Sequence, residues 1–178
     1  MIACLYEGSA ERAILDILYE NNFLSFSKDD LLSGDFIRRV PGSVFCTRYL
    51  SFGMKDAHIT IMHVQDSRKE KFNIPKAYLK RVASDIRYIT NPEIEILVIL
   101  AEGKNNDFKK CKLKPSIYCK EKLHLKDVKN YEHMRTYFAD SDKLLKSIKL
   151  HKMYYGGDIK TLYDLLSDEA KKKAESLI

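Results

Sequence analysis

The stretch Ile2-Ala3-Cys4-Leu5-Tyr6-Glu7-Gly8-Ser9-Ala10-Glu11, continued by Arg12-Ala13-Ile14-Leu15-Asp16-Ile17-Leu18, decides how the rest of the chain is read. Apolar residues at 2–5 alone do not tell strand from helix. Gly8 and the helical spacing of Ile14, Leu15, Ile17 and Leu18 select a strand, a turn and an amphipathic helix over one long helix. In an open α/β sheet the carboxyl ends of parallel strands border the ligand crevice. Glu7 is therefore expected at the mouth of a site, with Ser9 capping a helix whose free N–H groups face the same way. A carboxylate beside such a helix start suits a divalent metal that bridges to phosphate. The same arrangement is also common where a strand simply leaves into a turn.

A second stretch, His58-Ile59-Thr60-Ile61-Met62-His63-Val64-Gln65-Asp66-Ser67-Arg68, is dense in β-branched residues and long enough for a strand buried on both faces. Asp66 falls just past its end, the structural equivalent of Glu7. His63, a lone histidine on an apolar strand, is read as a core residue. Phe72 to Arg81, with Pro75 near its first turn, is expected to form a crossover helix, and Asp85 to Thr90 a further strand, making a right-handed parallel unit. Next comes Asn91-Pro92-Glu93-Ile94-Glu95-Ile96-Leu97-Val98-Ile99-Leu100-Ala101-Glu102-Gly103. Asn91 reads as a cap, Pro92 as the first helical residue and Gly103 as the stop. Glu93 is accounted for by the positive end of that helix. Glu95 heads a helix too apolar for a casual surface acid.

Between these landmarks, Phe23 to Phe26 reads as a short strand and Ser27 as the cap of a brief helix with an acid at its third position. Phe36 to Val40 is a short strand or an irregular crossing. Pro41-Gly42 is a turn, and Ser43 opens a helical stretch that ends near Gly53.

From residue 104 the texture changes. Residues 1–103 carry 13 Lys+Arg against 14 Asp+Glu, whereas 104–178 carry 18 against 11, and 104–126 alone hold eight lysines and two acids. Helices are expected at Pro115 to Leu123, Asp127 to Phe138 and Ser141 to Met153, then a Tyr154-Tyr155-Gly156-Gly157 loop and a final helix capped by Asp158. No strand is expected after Thr90. The fold class is thus α/β: a small parallel-sheet core over 1–103, with a basic all-helical extension over 104–178 packed on it. Positive charge gathered in one region attracts polyanions by releasing condensed counterions. Lys104, Lys109, Lys110, Lys112, Lys114, Lys120 and Lys122 are the candidate nucleic-acid contacts, weighed against a merely solvated face. Tyr118, Tyr131, Tyr137, Tyr154 and Tyr155 lie among the lysines. Such tyrosines stack on unpaired bases or, more commonly at helical spacing, serve the core.

With 178 residues the chain suits one well-buried core. No apolar run is long enough to span a membrane, and no secretory leader is evident. Four scattered cysteines without a CxxC pair read as reduced thiols, which points to the cytoplasm.

A Glu-Gly turn after the first strand, an Asp after a later buried strand and an acidic helix start together resemble the Toprim superfamily, the topoisomerase–primase catalytic domain. The likeness is to its compact phage-defence and overcoming-lysogenization nucleases. It rests on Cys4 to Glu11, Val64 to Arg68 and Asn91 to Leu97, and covers 1–103 only. It implies a Mg²⁺ site held by Glu7 and Asp66, with Glu95 and Glu11 assisting. The family's Asp-x-Asp motif is broken here, because position 68 is Arg. Two-metal phosphoryl transfer needs carboxylates to hold both cations, so Arg68 weakens a second metal and is assigned instead to orienting phosphate.

Two readings follow. One is a Mg²⁺-dependent, nuclease-like phosphoryl-transfer enzyme on nucleic acid, linked to mobile elements or phage defence, with Glu7, Asp66, Glu95 and Arg68 as catalytic residues. The other is a non-catalytic interaction protein on a degenerate scaffold, binding nucleic acid or a host nucleoprotein, such as an anti-CRISPR or other anti-defence inhibitor. No Asn/Asp-Pro-Pro-aromatic motif is present, which excludes an adenine methyltransferase of that type.

Overall fold

Four strands, β1 (Ile2–Tyr6), β2 (Ile37–Arg38), β3 (Ile59–Gln65) and β4 (Val82–Ile89), form one sheet in the order β2-β1-β3-β4, with every pairing parallel. They belong to a computed structural model that describes residues 1–51, 58–67, 69 and 71–178. The fold class is the expected α/β one. The chain steps outward from β1 to β2 on one side and from β3 to β4 on the other. The strand order therefore reverses between β1 and β3, and a crevice opens beyond their carboxyl ends.

Side chains alternate across the sheet. Ile2, Cys4 and Tyr6 of β1, with Met62 and Val64 of β3, face one apolar cluster, while Ala3, Leu5, Ile59 and Ile61 face another. The first is deep. It is covered by α1 (Ser9–Glu20), α3 (Ile96–Ala101), α5 (Pro115–Lys122), α7 (Ser141–His151) and α8 (Asp168–Ser176). The second is thin, closed by α2 (Gly42–Phe45), the π-turn Cys46–Leu50 and Phe72. All of Ile96 to Leu100 is buried, and α3 packs against α7. The helices after residue 104, which also include α4 (Asn105–Lys110) and α6 (Tyr131–Tyr137), thus share with α1 and α3 the cover of the sheet's principal face. Among the described residues no helix is long and apolar enough to cross a membrane.

Several elements differ from their expected form for local reasons. Leu24 makes only an isolated antiparallel bridge to Leu166, not a strand. The segment after Pro75 is a 3-10 turn, Lys76–Arg81, with no buried residue to hold a longer helix against the sheet. Asp127 has φ 60° and the Asn130 side chain caps α6, so that helix starts later than its apolar pattern suggests. Asp158 heads no helix. The chain makes a 3-10 turn at Leu162–Leu165, and Ser167 caps α8 through Ala170 N–H. Gly42 opens α2 after Pro41, and a β-carbon there would collide with the Asn73 carbonyl. Close approach of backbone is what position 42 requires. Gly53 lies outside the described residues.

His63 is buried on the thinner face, where its Nε2 lies 3.0 Å from Asp85 Oδ1 and its ring meets Phe72 edge-on. The four cysteines are free.

Candidate functional site

The register of β1 on β3 pairs Tyr6 with Val64, so the residues that leave these strands, Glu7 and Asp66, emerge side by side at the crevice. The Asp66 backbone N–H points at Glu7 Oε2 across 3.4 Å. After β4 the chain turns back through a cis Asn91–Pro92 peptide, and Glu93 and Glu95 enter the same space. They do so from the turn that precedes α3, not from its first turn: α3 begins at Ile96, with Glu95 at its N-cap.

Glu7, Glu11, Asp66, Glu93 and Glu95 line one cleft of ≈ 260 Å³, together with Lys129. Their commitments differ. Glu11 is bent back so that Oε2 accepts the Gly8 N–H at 3.1 Å. Gly8, not Ser9, occupies the N-cap, and Ser9 is an exposed first helical residue. Glu93 Oε2 accepts from Ser116 Oγ at 2.9 Å and lies 4.0 Å from Lys129 Nζ. Glu7 Oε1 is paired with the Arg39 guanidinium. Glu95 is only 2% exposed, and among the described residues its Oε2 has no hydrogen-bond partner.

Crowded acids in a partly dry site resist ionisation. Burial pushes Glu95 up to about 7, with repulsion from Glu93 and Glu11 adding to it and Lys129 opposing. Asp66 is raised by burial, then by Glu7 and Glu93. Glu11 is raised by burial and by Glu7, although its backbone hydrogen bonds oppose the shift.

No protein-family model, no curated protein and no solved structure matches the chain.

Hard oxygen donors suit Mg²⁺ or Mn²⁺ rather than a thiophilic ion. Among the described residues no three His, Cys, Asp or Glu come close enough together to chelate a metal. Mg²⁺ does not require that, since it is commonly held by one or two carboxylates, water and substrate phosphate. Asp66 and the Oε2 of Glu7, adjacent at the crevice, are the pair that could do so. Glu11 and Glu93 are engaged elsewhere.

A larger cleft of ≈ 690 Å³ shares Asp66 and Glu93 as a common wall with the acidic one. Its lining also carries Lys69, Lys112 and Lys114. Of the lysines expected to meet nucleic acid, Lys112 and Lys114 line this cleft, while Lys104, Lys109, Lys110, Lys120 and Lys122 are exposed elsewhere. Lys104 reaches toward Asp107, and Lys109 lies over the Tyr154 and Tyr155 rings. Arg68 lies outside the described residues. Four of the five tyrosines are engaged within the protein: Tyr131 hydroxyl donates to Asp16, Tyr137 to Glu102 and Tyr155 to Asn105, and Tyr118 packs edge-on against Phe108, while Tyr154 is exposed.

Arg39 and Lys129 were not among the residues expected at the site. Arg39 reaches Glu7 because its N–H bonds the Tyr6 carbonyl next to β2. A pairing between distant segments of this kind leaves no local signal. Lys129 arrives from the loop before α6.

Proposed function

We propose that this protein is a divalent-metal-dependent phosphoryl-transfer enzyme that hydrolyses nucleic acid, on a Toprim-like α/β core. The observation that carries the reading is the shared wall. A carboxylate cleft with a buried, unpartnered Glu95 oxygen adjoins a lysine-lined cleft, and Asp66 and Glu93 line both. A polyanion held by lysines would place its phosphate beside acids that otherwise repel it, and a cation reconciles the two.

Glu7 Oε2 and Asp66 would hold Mg²⁺, which when bound neutralises charge on the phosphoryl oxygens. Lys112 and Lys114 hold the flanking phosphates. Glu95 Oε2 accepts the proton of the attacking water, whose oxygen bonds to phosphorus as the bond to the leaving oxygen breaks. The leaving oxygen takes its proton from solvent. A general base is most effective when it titrates near the working pH, and Glu95 does.

The test is cleavage of labelled single- and double-stranded DNA and RNA with Mg²⁺ or Mn²⁺, using the intact protein and its Asp66→Asn variant. Metal-dependent cleavage by the first and none by the second is expected. Intact substrates across the whole series would overturn the reading.

A second reading, a non-catalytic binder of nucleic acid or nucleoprotein, is favoured by the Arg39–Glu7 ion pair, which already neutralises one of the acids. It predicts binding that is unchanged by Asp66→Asn and absence of cleavage.

A further inference from the structure

The larger cleft is two-faced. Beside its lysines the lining holds Pro92, Leu113, Pro115 and Tyr155, and the buried Ile89. Tyr155 is fixed there: its hydroxyl donates to Asn105 Oδ1 at 2.6 Å and its ring stacks on His151 with centroids 5.6 Å apart. Lys112 and Lys114 flank the half-buried Leu113 on the connection between α4 and α5. One short segment therefore supplies cationic and apolar contacts to the same space. A wall fixed in advance orders little on binding, which lowers the entropic cost of seating a flat apolar group.

Size restricts what enters. A volume of ≈ 690 Å³ corresponds to a cube about 9 Å on a side, within the range of small-ligand pockets. A B-DNA duplex is wider than its major groove of about 12 Å, so it would lie across the mouth of this open cleft, whereas a single nucleotide fits within it. The negative groups in the lining are Asp66 and Glu93, both at the acidic end. A bound phosphate is thereby biased toward Lys112 and Lys114.

We infer that this cleft receives one unpaired nucleotide of a single strand, its base against Pro92, Leu113, Pro115 and Tyr155 and its phosphates toward Lys112 and Lys114. The inference rests on the phosphoryl-transfer reading and gives it a substrate class: single strands or frayed ends, not intact duplex. The walls that select the strand come largely from the residues after 104, while the acids come from residues 7–95.

Binding separates this from the chemistry. Fluorescence anisotropy in EDTA at low ionic strength would compare a labelled single-stranded hexanucleotide, as DNA and as RNA, with a blunt hairpin duplex and an abasic hexamer of equal charge. The single strand is expected to bind at least fivefold more tightly than either control, DNA and RNA differing only in degree. Lys112→Glu with Lys114→Glu should weaken it at least tenfold. Lys120→Glu with Lys122→Glu, an equal charge change outside the cleft, should change it less than threefold. Thermal melting of both double variants checks that they fold.

Equal weakening by both pairs, or equal affinity for the abasic strand or the duplex, would overturn the inference, as would no binding at all. Cleavage in Mg²⁺ that ignores Lys112 and Lys114 would leave the phosphoryl-transfer reading standing and remove this one. Selective binding with no cleavage in any metal would do the reverse.

Discussion

Glu7 and Asp66, separated by 59 residues, meet at the carboxyl edge of the sheet with the Asp66 N–H directed at Glu7 Oε2. Two acids are neighbours here because β1 and β3 are parallel neighbours whose register sets Tyr6 against Val64, and the strand order reverses between them. Backbone pairing therefore sets their separation and overrides their repulsion. Burial first, and then repulsion from Glu7 and Glu93, raises the titration of Asp66.

Asp66→Asn removes a group that its surroundings disfavour. Catalysis should be lost with no loss of stability, and the melting temperature should stay level or rise by about 1–3 °C, as expected for a gain under 1 kcal/mol in a chain of this size. A calorimetric scan beside the cleavage assay reads both. A fall of several degrees would mean that Asp66 serves the fold.

Glu95 gives stability a definite slope with pH. Its folded pKa, about 7, lies above the ordinary carboxylate value of 4.5. Between those values the folded state holds a proton that the unfolded state has released, so this contribution is full below about 4.5 and is lost as pH rises through about 7. The loss is on the order of a few kcal/mol. Glu95→Gln should flatten the melting temperature across that window and make the variant the more stable protein at pH 8. Parallel pH profiles for the two proteins would refute the assignment.

Arg39→Gln removes a positive charge from Glu7. If Glu7 helps to hold a cation, Mn²⁺ affinity measured by titration calorimetry should rise roughly three- to tenfold, the effect of one charge at several ångströms in a half-exposed site. Unchanged affinity would place the cation, if one binds, away from Glu7.

Phe138 is fully buried in the cluster that joins the later helices to the sheet. Phe138→Ala should cost about 3–5 kcal/mol and lower a single cooperative transition, whether followed by near-ultraviolet or far-ultraviolet circular dichroism. Two separated transitions would show that the helices after 104 unfold independently. A fragment ending at residue 103 should not melt cooperatively, since it exposes Ile96 to Leu100.

The central strands and the positions of Glu7 and Asp66 are legible in the chain because an apolar run closed by a Glu-Gly turn, and a β-branched run followed by an acid, are local patterns. Glu95 is half legible. Its apolar helix forecasts burial, but Asn91-Pro92 reads as a helix start, and only the fold puts the acid in a turn ahead of Ile96. Arg39 and Lys129 are not legible, since each reaches the site by tertiary packing. Nor does sequence separate Lys112 and Lys114 from Lys120 and Lys122. All are lysines of one basic run, and the course of the α4–α5 connection alone decides which of them meet the cleft.

The bend of Glu11 onto Gly8 depends on the missing side chain at position 8, where a β-carbon would stand 2.9 Å from Glu11 Oε2. A single methyl group would displace that flexible carboxylate from its backbone anchor. Residue 8 thus governs how many negative groups are fastened to the frame and how many are at liberty to meet an incoming ion. Within this architecture the smallest side-chain change available would alter the valence of the acidic end while leaving every strand in place.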